Sequence, residues 1–149
     1  MSYTRLLYHI VFRTKYGHPT IPEAHEKELY AYIMDIVNKK KSKLYRIGGT
    51  ENHIHLLVDI HPTVALSDFM KELKEYSSKW LSKNPNFPDF ESWAVSFAGF
   101  TYNFNDKQKI INYIKNQKEH HKTVCFEKEY RQFLTDNGVD IDERYFLKE

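Results

Sequence analysis

The sequence predicts an α+β fold in which one antiparallel sheet is built from strands and helices in the order βαββαβ. Short runs of apolar residues have strand length, whereas other segments repeat apolar residues at spacings of three and four, which favours helices. Prolines and glycines separate these segments. This order is that of a ferredoxin-like, or RRM-like, sheet with two helices on one face and the other face open. An additional C-terminal helix follows it.

The first half of the chain accounts for three strands and one helix. Residues 6–12 form an apolar run of strand length. A proline then suits the first turn of a helix, whose apolar residues recur until a lysine-rich segment. Residues 44–50 and 53–60 predict two strands paired as a hairpin, with Gly48 and Gly49 providing the bend or a bulge.

The second half supplies two further helices and the last strand of the sheet. Ser67 is placed to cap a helix with a continuous apolar face. After a proline-containing loop, residues 93–104 are rich in aromatic and small side chains and predict the fourth strand. Asn105 or Asp106 then caps a helix that extends to about His121.

Composition excludes several classes of protein. With 41% hydrophobic and 15% aromatic residues, the 149-residue chain can bury an ordinary core and is not a disordered tail. One cysteine, Cys125, cannot form an intramolecular disulfide or a zinc-thiolate cluster. No apolar run is long enough to cross a membrane. We therefore expect a cytoplasmic protein.

The net charge of +2 conceals an uneven distribution along the chain. We expect a single domain over residues 1–137, ending in an amphipathic piece at 126–134, and an acidic tail over residues 138–149. The domain itself is basic, with five cations clustered within eight positions. These are Lys39, Lys40, Lys41, Lys43 and Arg46. Such a cluster could contact a phosphate backbone, although cations also favour the C-terminal end of any helix.

Two histidines stand two residues apart in the predicted third strand. Side chains alternate along a strand, so His53 and His55 project from one face and Ile54 from the other. If Ile54 faces the helices, the two imidazoles lie on the open face, close enough to share a metal ion. Two half-exposed histidines without a metal would give the same pattern.

The helix after the fourth strand carries a polar edge. Tyr113, Gln117 and His120 fall within an arc of about 60° beside an isoleucine stripe. This edge could overhang the sheet and complete a site with the histidines. Tyr113 could equally be amphipathic core lining and Gln117 a surface residue, because periodicity does not distinguish these alternatives.

These residues resemble the HUH-type single-tyrosine transposases of small bacterial insertion sequences, the IS200-like family that includes REP-associated tyrosine transposases. The resemblance rests on His53-Ile54-His55 in a strand and Tyr113-x-x-x-Gln117 in a later helix, and it extends over residues 5–121. Asn52 stands where family members often have an acidic residue. Further matches are Tyr8-His9-Ile10-Val11-Phe12, Thr14-Lys15, Lys74, Ser77-Ser78, Trp93 and His120-His121.

The resemblance implies an enzyme that cleaves and rejoins single-stranded DNA at hairpin-marked element ends through a 5′-phosphotyrosine intermediate. It implies Tyr113 as the nucleophile. His120 is a candidate catalytic helper, although an ordinary surface histidine would fit the same position. His53, His55 and Gln117 would bind a divalent metal, Mg²⁺ or Mn²⁺. The basic cluster would contact the DNA, and a homodimer would share its active sites between subunits.

Three other classes of protein remain compatible with the residues. A domesticated protein of the same fold would bind hairpin or single-stranded DNA without cleaving it. A small metal-dependent phosphodiester hydrolase would use the histidines but would not need Tyr113. An RNA-binding module is the weakest alternative, because the aromatic stacking signature of such modules is absent. A covalent protein–DNA adduct would distinguish the transposase from all three.

Overall fold

Four antiparallel strands form one sheet in the computed structural model, which describes residues 2–149. The strand order is β2-β3-β1-β4, and the chain order βαββαβ is confirmed. The strands are β1 (Leu7–Arg13), β2 (Lys43–Thr50), β3 (His53–Asp59) and β4 (Ala98–Thr101). The helices are α1 (Glu26–Lys39), α2 (Leu66–Ser82), α3 (Lys107–Lys115), α4 (Gln117–His120) and α5 (Phe126–Asp136).

One face of the sheet packs against α1 and α2 and forms the main core. Alternate residues of the two central strands point to this face, including Phe12, Ile54 and Leu56, and all three are fully buried. Ile33 of α1 and Leu73 of α2 meet them. Each such side chain contributes about 1.5–3 kcal/mol when buried, so this face fixes the register of β1 and β3.

The second face of the sheet is covered, and the prediction that it stays open is wrong. Leu57 of β3 packs against Ile110 and Ile114 of α3. Val11 of β1 packs against the aromatic side chains of α5, Phe126 among them. The isoleucine stripe and the last amphipathic piece both need apolar surface to cover, and the second sheet face supplies it.

The two glycines of the hairpin lie inside β2, not in a bend. Gly48 pairs with His55, and the bulge lies between Leu44 and Arg46. A Cβ atom on Gly48 would come within 2.9 Å of the carbonyl oxygen of Ile114, and one on Gly49 within 2.1 Å of the carbonyl oxygen of His53. Glycine is therefore required at Gly48 where α3 approaches the strand, and at Gly49 where the paired strand β3 comes close.

The fourth strand is shorter than predicted because a lysine binds the segment before it. The Nζ atom of Lys74 donates to the carbonyl oxygens of Ala94, Val95 and Ser96 at 2.9, 2.9 and 3.0 Å. Trp93 forms only an isolated bridge with Thr14. Carbonyls that face an ammonium group do not continue a strand ladder, so β4 begins at Ala98.

The predicted cap of α2 is wrong, whereas that of α3 is right in position but not in its hydrogen bond. Ser67 lies inside α2, and Ala65 precedes that helix without a side-chain cap. Asp106 precedes α3 but its side chain makes no capping hydrogen bond. The helix predicted to run to His121 is interrupted at Asn116, whose φ of −94° and ψ of 14° separate α3 from α4.

The acidic C-terminal segment folds back onto α5. The ring of Phe146 stacks on Tyr130 at a centroid distance of 6.0 Å, and the Arg131 guanidinium donates twice to the Glu143 carboxylate. Leu147 joins the same apolar cluster. Over residues 2–149, no helix is both long enough and apolar enough to cross a membrane.

Candidate metal and tyrosine site

The two histidines of β3 lie beneath α3, α4 and α5. Because β3 is an interior strand and alternates its side chains, His53 and His55 project from the second sheet face. Their exposed fractions are 0% and 1%. Both histidines are therefore buried. The alternative expectation from the sequence, two half-exposed histidines without a metal, does not describe them.

Asn52 sets the orientation of His53. The amide nitrogen of Asn52 donates to the Gly17 carbonyl at 3.4 Å, which leaves its Oδ1 atom 2.8 Å from Nδ1 of His53. An amide oxygen can only accept a hydrogen bond, so this contact is completed by a proton on Nδ1, and the Thr50 hydroxyl lies 2.9 Å from the same nitrogen. In that tautomer Nε2 presents a lone pair to the interior, and it lies 2.9 Å from Oε1 of Gln117.

His9 of β1 contacts the Nδ1 atom of His55, as Asn52 contacts that of His53. The Nδ1 atom of His55 lies 2.8 Å from Nε2 of His9, and both residues are buried. Burial lowers the pKa of His55 to about 4, so its imidazole is neutral near pH 7. The Nε2 atom of His55 has no hydrogen-bond partner among the described residues and lies 3.3 Å from Oε1 of Glu129.

Glu129 of α5 lies at the centre of the site, and the sequence analysis missed it. Its Oε1 atom is 3.5 Å from Nε2 of His53 and 3.0 Å from Nε2 of His121. Burial favours the neutral acid, but the adjacent imidazoles of His121, His53 and His55 hold the pKa of Glu129 below its usual range. In the sequence, the position of Glu129 is indicated by an acidic residue on the apolar face of α5, beside Phe126 and Tyr130.

Tyr113 reaches the same carboxylate from α3. Its hydroxyl donates to Oε2 of Glu129, which also accepts from Nε2 of Gln117 at 2.9 Å. Burial and the nearby carboxylate raise the pKa of Tyr113. The ring is 36% exposed and lines a groove of about 530 Å³ together with His9 and His120. Solvent thus reaches the tyrosine but not His53 or His55.

His120 lies at the edge of the site. Its ring centroid is 5.7 Å from that of Tyr113, and its Nε2 atom is 3.4 Å from Oε2 of Glu129. That nitrogen has no hydrogen-bond partner among residues 2–149. One chain therefore brings together Tyr113, Gln117 and both strand histidines, with His120 beside them.

The interior of the site has the chemistry of a cation site. Ligand atoms of His53, His55 and Glu129 lie within 4.8 Å of one another. Nitrogen and oxygen ligand atoms converge there, since Nε2 of His53 lies beside the amide oxygen of Gln117 and Nε2 of His55 is unpartnered within the described part of the chain. A divalent cation would satisfy these acceptors, and two imidazoles with oxygen ligands suit Mn²⁺ better than Mg²⁺.

The predicted basic cluster lies where α1 leads into the edge strand β2. Lys39, Lys41, Lys43 and Arg46 are exposed. Lys40 is partly buried and forms an ion pair with Glu72 of α2. The cluster therefore offers four exposed cations beside the strand that neighbours β3.

Several known proteins are similar in sequence to this chain over most of its length. A family model described as IS200-like transposase matches residues 2–117. The ISDra2 transposase TnpA of Deinococcus radiodurans is 25% identical over 122 residues, which cover 77% of this chain and 86% of that protein. The transposase of insertion sequence element IS200 from Salmonella typhimurium is 29% identical over 120 residues, which cover 77% of this chain and 78% of that protein.

Solved structures share the fold. A transposase from Deinococcus radiodurans matches with a TM-score of 0.58 and 26% identity, over 78% of this chain and 93% of that one. A REP-associated tyrosine transposase bound to a REP hairpin matches with a TM-score of 0.62 and 13% identity, over 83% of this chain and 73% of that one. With the family model spanning the sheet, both histidines of β3 and all of α3, this chain belongs to the IS200-like transposase family.

Proposed function

We propose that this chain is a metal-dependent transposase that cleaves and rejoins single-stranded DNA at hairpin-marked element ends. The observation that carries the proposal is the convergence, within one chain, of the Tyr113 hydroxyl and two buried histidines on a single carboxylate. The match to a transposase bound to a REP hairpin supports hairpin-bearing DNA as the substrate.

Tyr113 is the proposed nucleophile. Its phenolic oxygen forms a bond to the scissile phosphorus and gives up its proton, while the bond from phosphorus to the 3′ oxygen breaks. The products are a 5′-phosphotyrosine and a free 3′-hydroxyl, which takes up a proton. One phosphodiester replaces another, so a 3′-hydroxyl can reverse the step and reseal the strand without ATP. The exposed edge of Tyr113 in the groove gives DNA access to this oxygen.

The metal ligands proposed from the sequence are His53, His55 and Gln117. A bound Mg²⁺ or Mn²⁺ would polarise a non-bridging oxygen of the scissile phosphate. Asn52 and His9 would keep the ligating nitrogens of the two histidines directed inward. His120 is the proposed helper, because its unpartnered nitrogen lies close to the Tyr113 ring.

A covalent adduct tests the reaction. Wild-type protein with Mn²⁺ and a labelled hairpin-bearing single strand should yield a protein–DNA adduct that survives denaturing electrophoresis. Tyr113→Phe should abolish it, whereas Tyr76→Phe, on the exposed side of α2, should not. Cleavage without an adduct would instead indicate a hydrolase, and binding without cleavage a domesticated DNA-binding protein.

The basic cluster of Lys39, Lys40, Lys41, Lys43 and Arg46 is the proposed binding surface for DNA phosphates. Affinity should be higher for a hairpin-bearing single strand than for a duplex of the same sequence, and it should fall as salt rises. Neutralising the four exposed cations should reduce the slope of log affinity against log salt by about 0.7 for each phosphate that the variant no longer neutralises. An unchanged slope would remove the cluster from the DNA interface.

Two element ends must be held at once, and each chain offers one Tyr113. We infer that the active form is a homodimer. The resemblance predicts that the dimer shares its sites, each combining the histidines of one subunit with the tyrosine of the other. In the single chain, Tyr113 is hydrogen-bonded to its own Glu129 and α3 is packed on its own sheet. Sharing would therefore require α3 to leave this position.

A further inference from the structure

The two oxygens of Glu129 have different neighbours. Oε1 lies 3.5 and 3.3 Å from the Nε2 atoms of the two strand histidines, His53 and His55. Oε2 accepts hydrogen bonds from the hydroxyl of Tyr113 and the amide of Gln117. The carboxylate thus stands between the predicted metal ligands and the predicted nucleophile.

Glu129 comes from a helix that the family comparison does not include. The family model ends at Gln117, whereas α5 begins at Phe126. Phe126 and Tyr130 pack α5 against Val11 and Ala98 of the sheet, so the helix cannot rotate without exposing these apolar side chains. The position of the Glu129 carboxylate is therefore fixed by apolar packing.

We propose that Glu129 is the anionic ligand of the metal through Oε1 and positions the hydroxyl of Tyr113 through Oε2. The proposal rests on the metal site of the proposed function and adds to it a residue outside the ligand set of His53, His55 and Gln117. It makes one carboxylate the direct link between the metal and the nucleophile.

Charge supports this assignment. The three ligands inferred from the sequence are neutral, and a divalent cation held by neutral ligands alone keeps its full charge in a buried site. Over residues 2–149, no other carboxylate lies within 4.0 Å of a nitrogen of His53 or His55. A buried carboxylate next to two inward-facing imidazoles also gives a set of ligands typical of a transition-metal site.

A purely structural role would predict something different. His121 donates to Oε1 of Glu129 at 3.0 Å, so the residue could serve only to hold α4 and α5 together. In that case, replacing it would lower the stability of the chain but would leave the affinity for metal unchanged. Metal affinity measured on folded protein therefore separates the two roles.

The first experiment is a calorimetric titration of the full chain with Mn²⁺ in the absence of DNA. Glu129→Gln keeps the shape of the side chain and removes its charge, and we expect it to weaken Mn²⁺ binding at least tenfold. Glu127→Gln is the matched control, because Glu127 is exposed on the same helix. Its affinity should equal that of the wild type. Unchanged affinity in folded Glu129→Gln protein would overturn the ligand assignment.

Glu129→Asp provides a second variant. It keeps the negative charge on a shorter side chain, so Mn²⁺ affinity should lie between those of the wild type and Glu129→Gln. Tyr113→Phe should bind Mn²⁺ as the wild type does, since its hydroxyl meets Oε2 and not the metal-facing oxygen. Equal weakening by Glu129→Asp and Glu129→Gln would argue against a role for the charge.

The second experiment tests the positioning of Tyr113. Thermal unfolding of Tyr113→Phe, Glu129→Ala and the double variant should show non-additive losses, because both single changes remove the same hydrogen bond. Additive losses would overturn the positioning role. If Glu129→Gln weakens Mn²⁺ binding but the wild type forms no DNA adduct, the proposed function is contradicted and the ligand assignment stands. If the wild type forms the adduct but Glu129→Gln binds Mn²⁺ as tightly as the wild type, the proposed function stands and the ligand assignment is contradicted.

Discussion

A neutral side chain next to the first strand histidine controls how that histidine faces the site. Asn52 occupies the turn before β3, where its amide nitrogen is held by Gly17 and its oxygen by the hydroxyl of Thr50. Of the Asn52 side chain, the oxygen faces Nδ1 of His53, beside the hydroxyl of Thr50. Asn52 is thus placed to orient a proposed metal ligand without adding charge, whereas the proposed negative charge comes from Glu129.

Replacing Asn52 tests this orientation at the scale of one residue. We expect Asn52→Ala to weaken Mn²⁺ binding by about 10–100-fold, as loss of a ligand-orienting partner typically does. Asn86→Ala is the control, because Asn86 bonds to Glu28 at the exposed surface. Calorimetric titration measures both. If Asn52→Ala binds Mn²⁺ like the wild type, Thr50 alone suffices to orient His53.

The contact between α3 and β2 brings Tyr113 over the sheet. Gly48 leaves the strand without a side chain at the point where Ile114 crosses it. Lys118 of α4 then donates to the carbonyl of Gly49 at 3.1 Å and pairs with Glu26 of α1. The helix that carries Tyr113 is thus set against the strand by one close backbone approach, and the lysine of the following helix holds the same edge.

The glycines give a prediction at the scale of the element. Gly48→Ala should lower the free energy of unfolding by about 1–3 kcal/mol, because its Cβ would lie 2.9 Å from the carbonyl oxygen of Ile114 in α3. A backbone atom inside a packed helix cannot move away without disturbing that packing. Gly99→Ala in β4 is the matched control, since the nearest atoms lie at 3.6–3.7 Å. Urea denaturation measures both. Equal losses in the two variants would contradict a special role for Gly48.

Local pattern predicts the elements of this chain better than it predicts which surfaces meet. Strand alternation and helical spacing are properties of neighbouring residues, so the order βαββαβ and the shared face of His53 and His55 follow from the sequence. The covered second face does not, because it depends on where α5 docks. The short β4 depends likewise on Lys74, about twenty residues earlier in the chain.

Glu129 illustrates the same limit at the site. Its partners lie 8 to 76 positions away in the chain, from His121 to His53. From the sequence alone it is an acid on an amphipathic helix, one among 20 acidic residues. Tyr113, in contrast, precedes Gln117 by four residues, and that spacing places both on one edge. The resemblance to a known family rests in part on that pair.

At the scale of the whole molecule, the candidate site residues lie together within one chain. Ile110 and Ile114 anchor α3 on Leu57, and Tyr113 is hydrogen-bonded to Glu129 of the same chain. The folded C-terminal segment covers α5 from outside through Phe146. A dimer of such chains would carry two separate sites, whereas exchange of α3 would give two shared ones.

Mixed dimers distinguish these arrangements. Tyr113→Phe and His53→Ala chains, co-expressed with different tags, give heterodimers that can be purified through both tags. If each chain completes its own site, both sites of the heterodimer carry one lesion, and we expect no cleavage. If the sites are shared, the histidines of the Tyr113→Phe chain meet the tyrosine of the His53→Ala chain, and one intact site returns. Cleavage would then label only the His53→Ala chain with covalent DNA, which would establish the exchange, and failure of the two tags to copurify would contradict the homodimer itself.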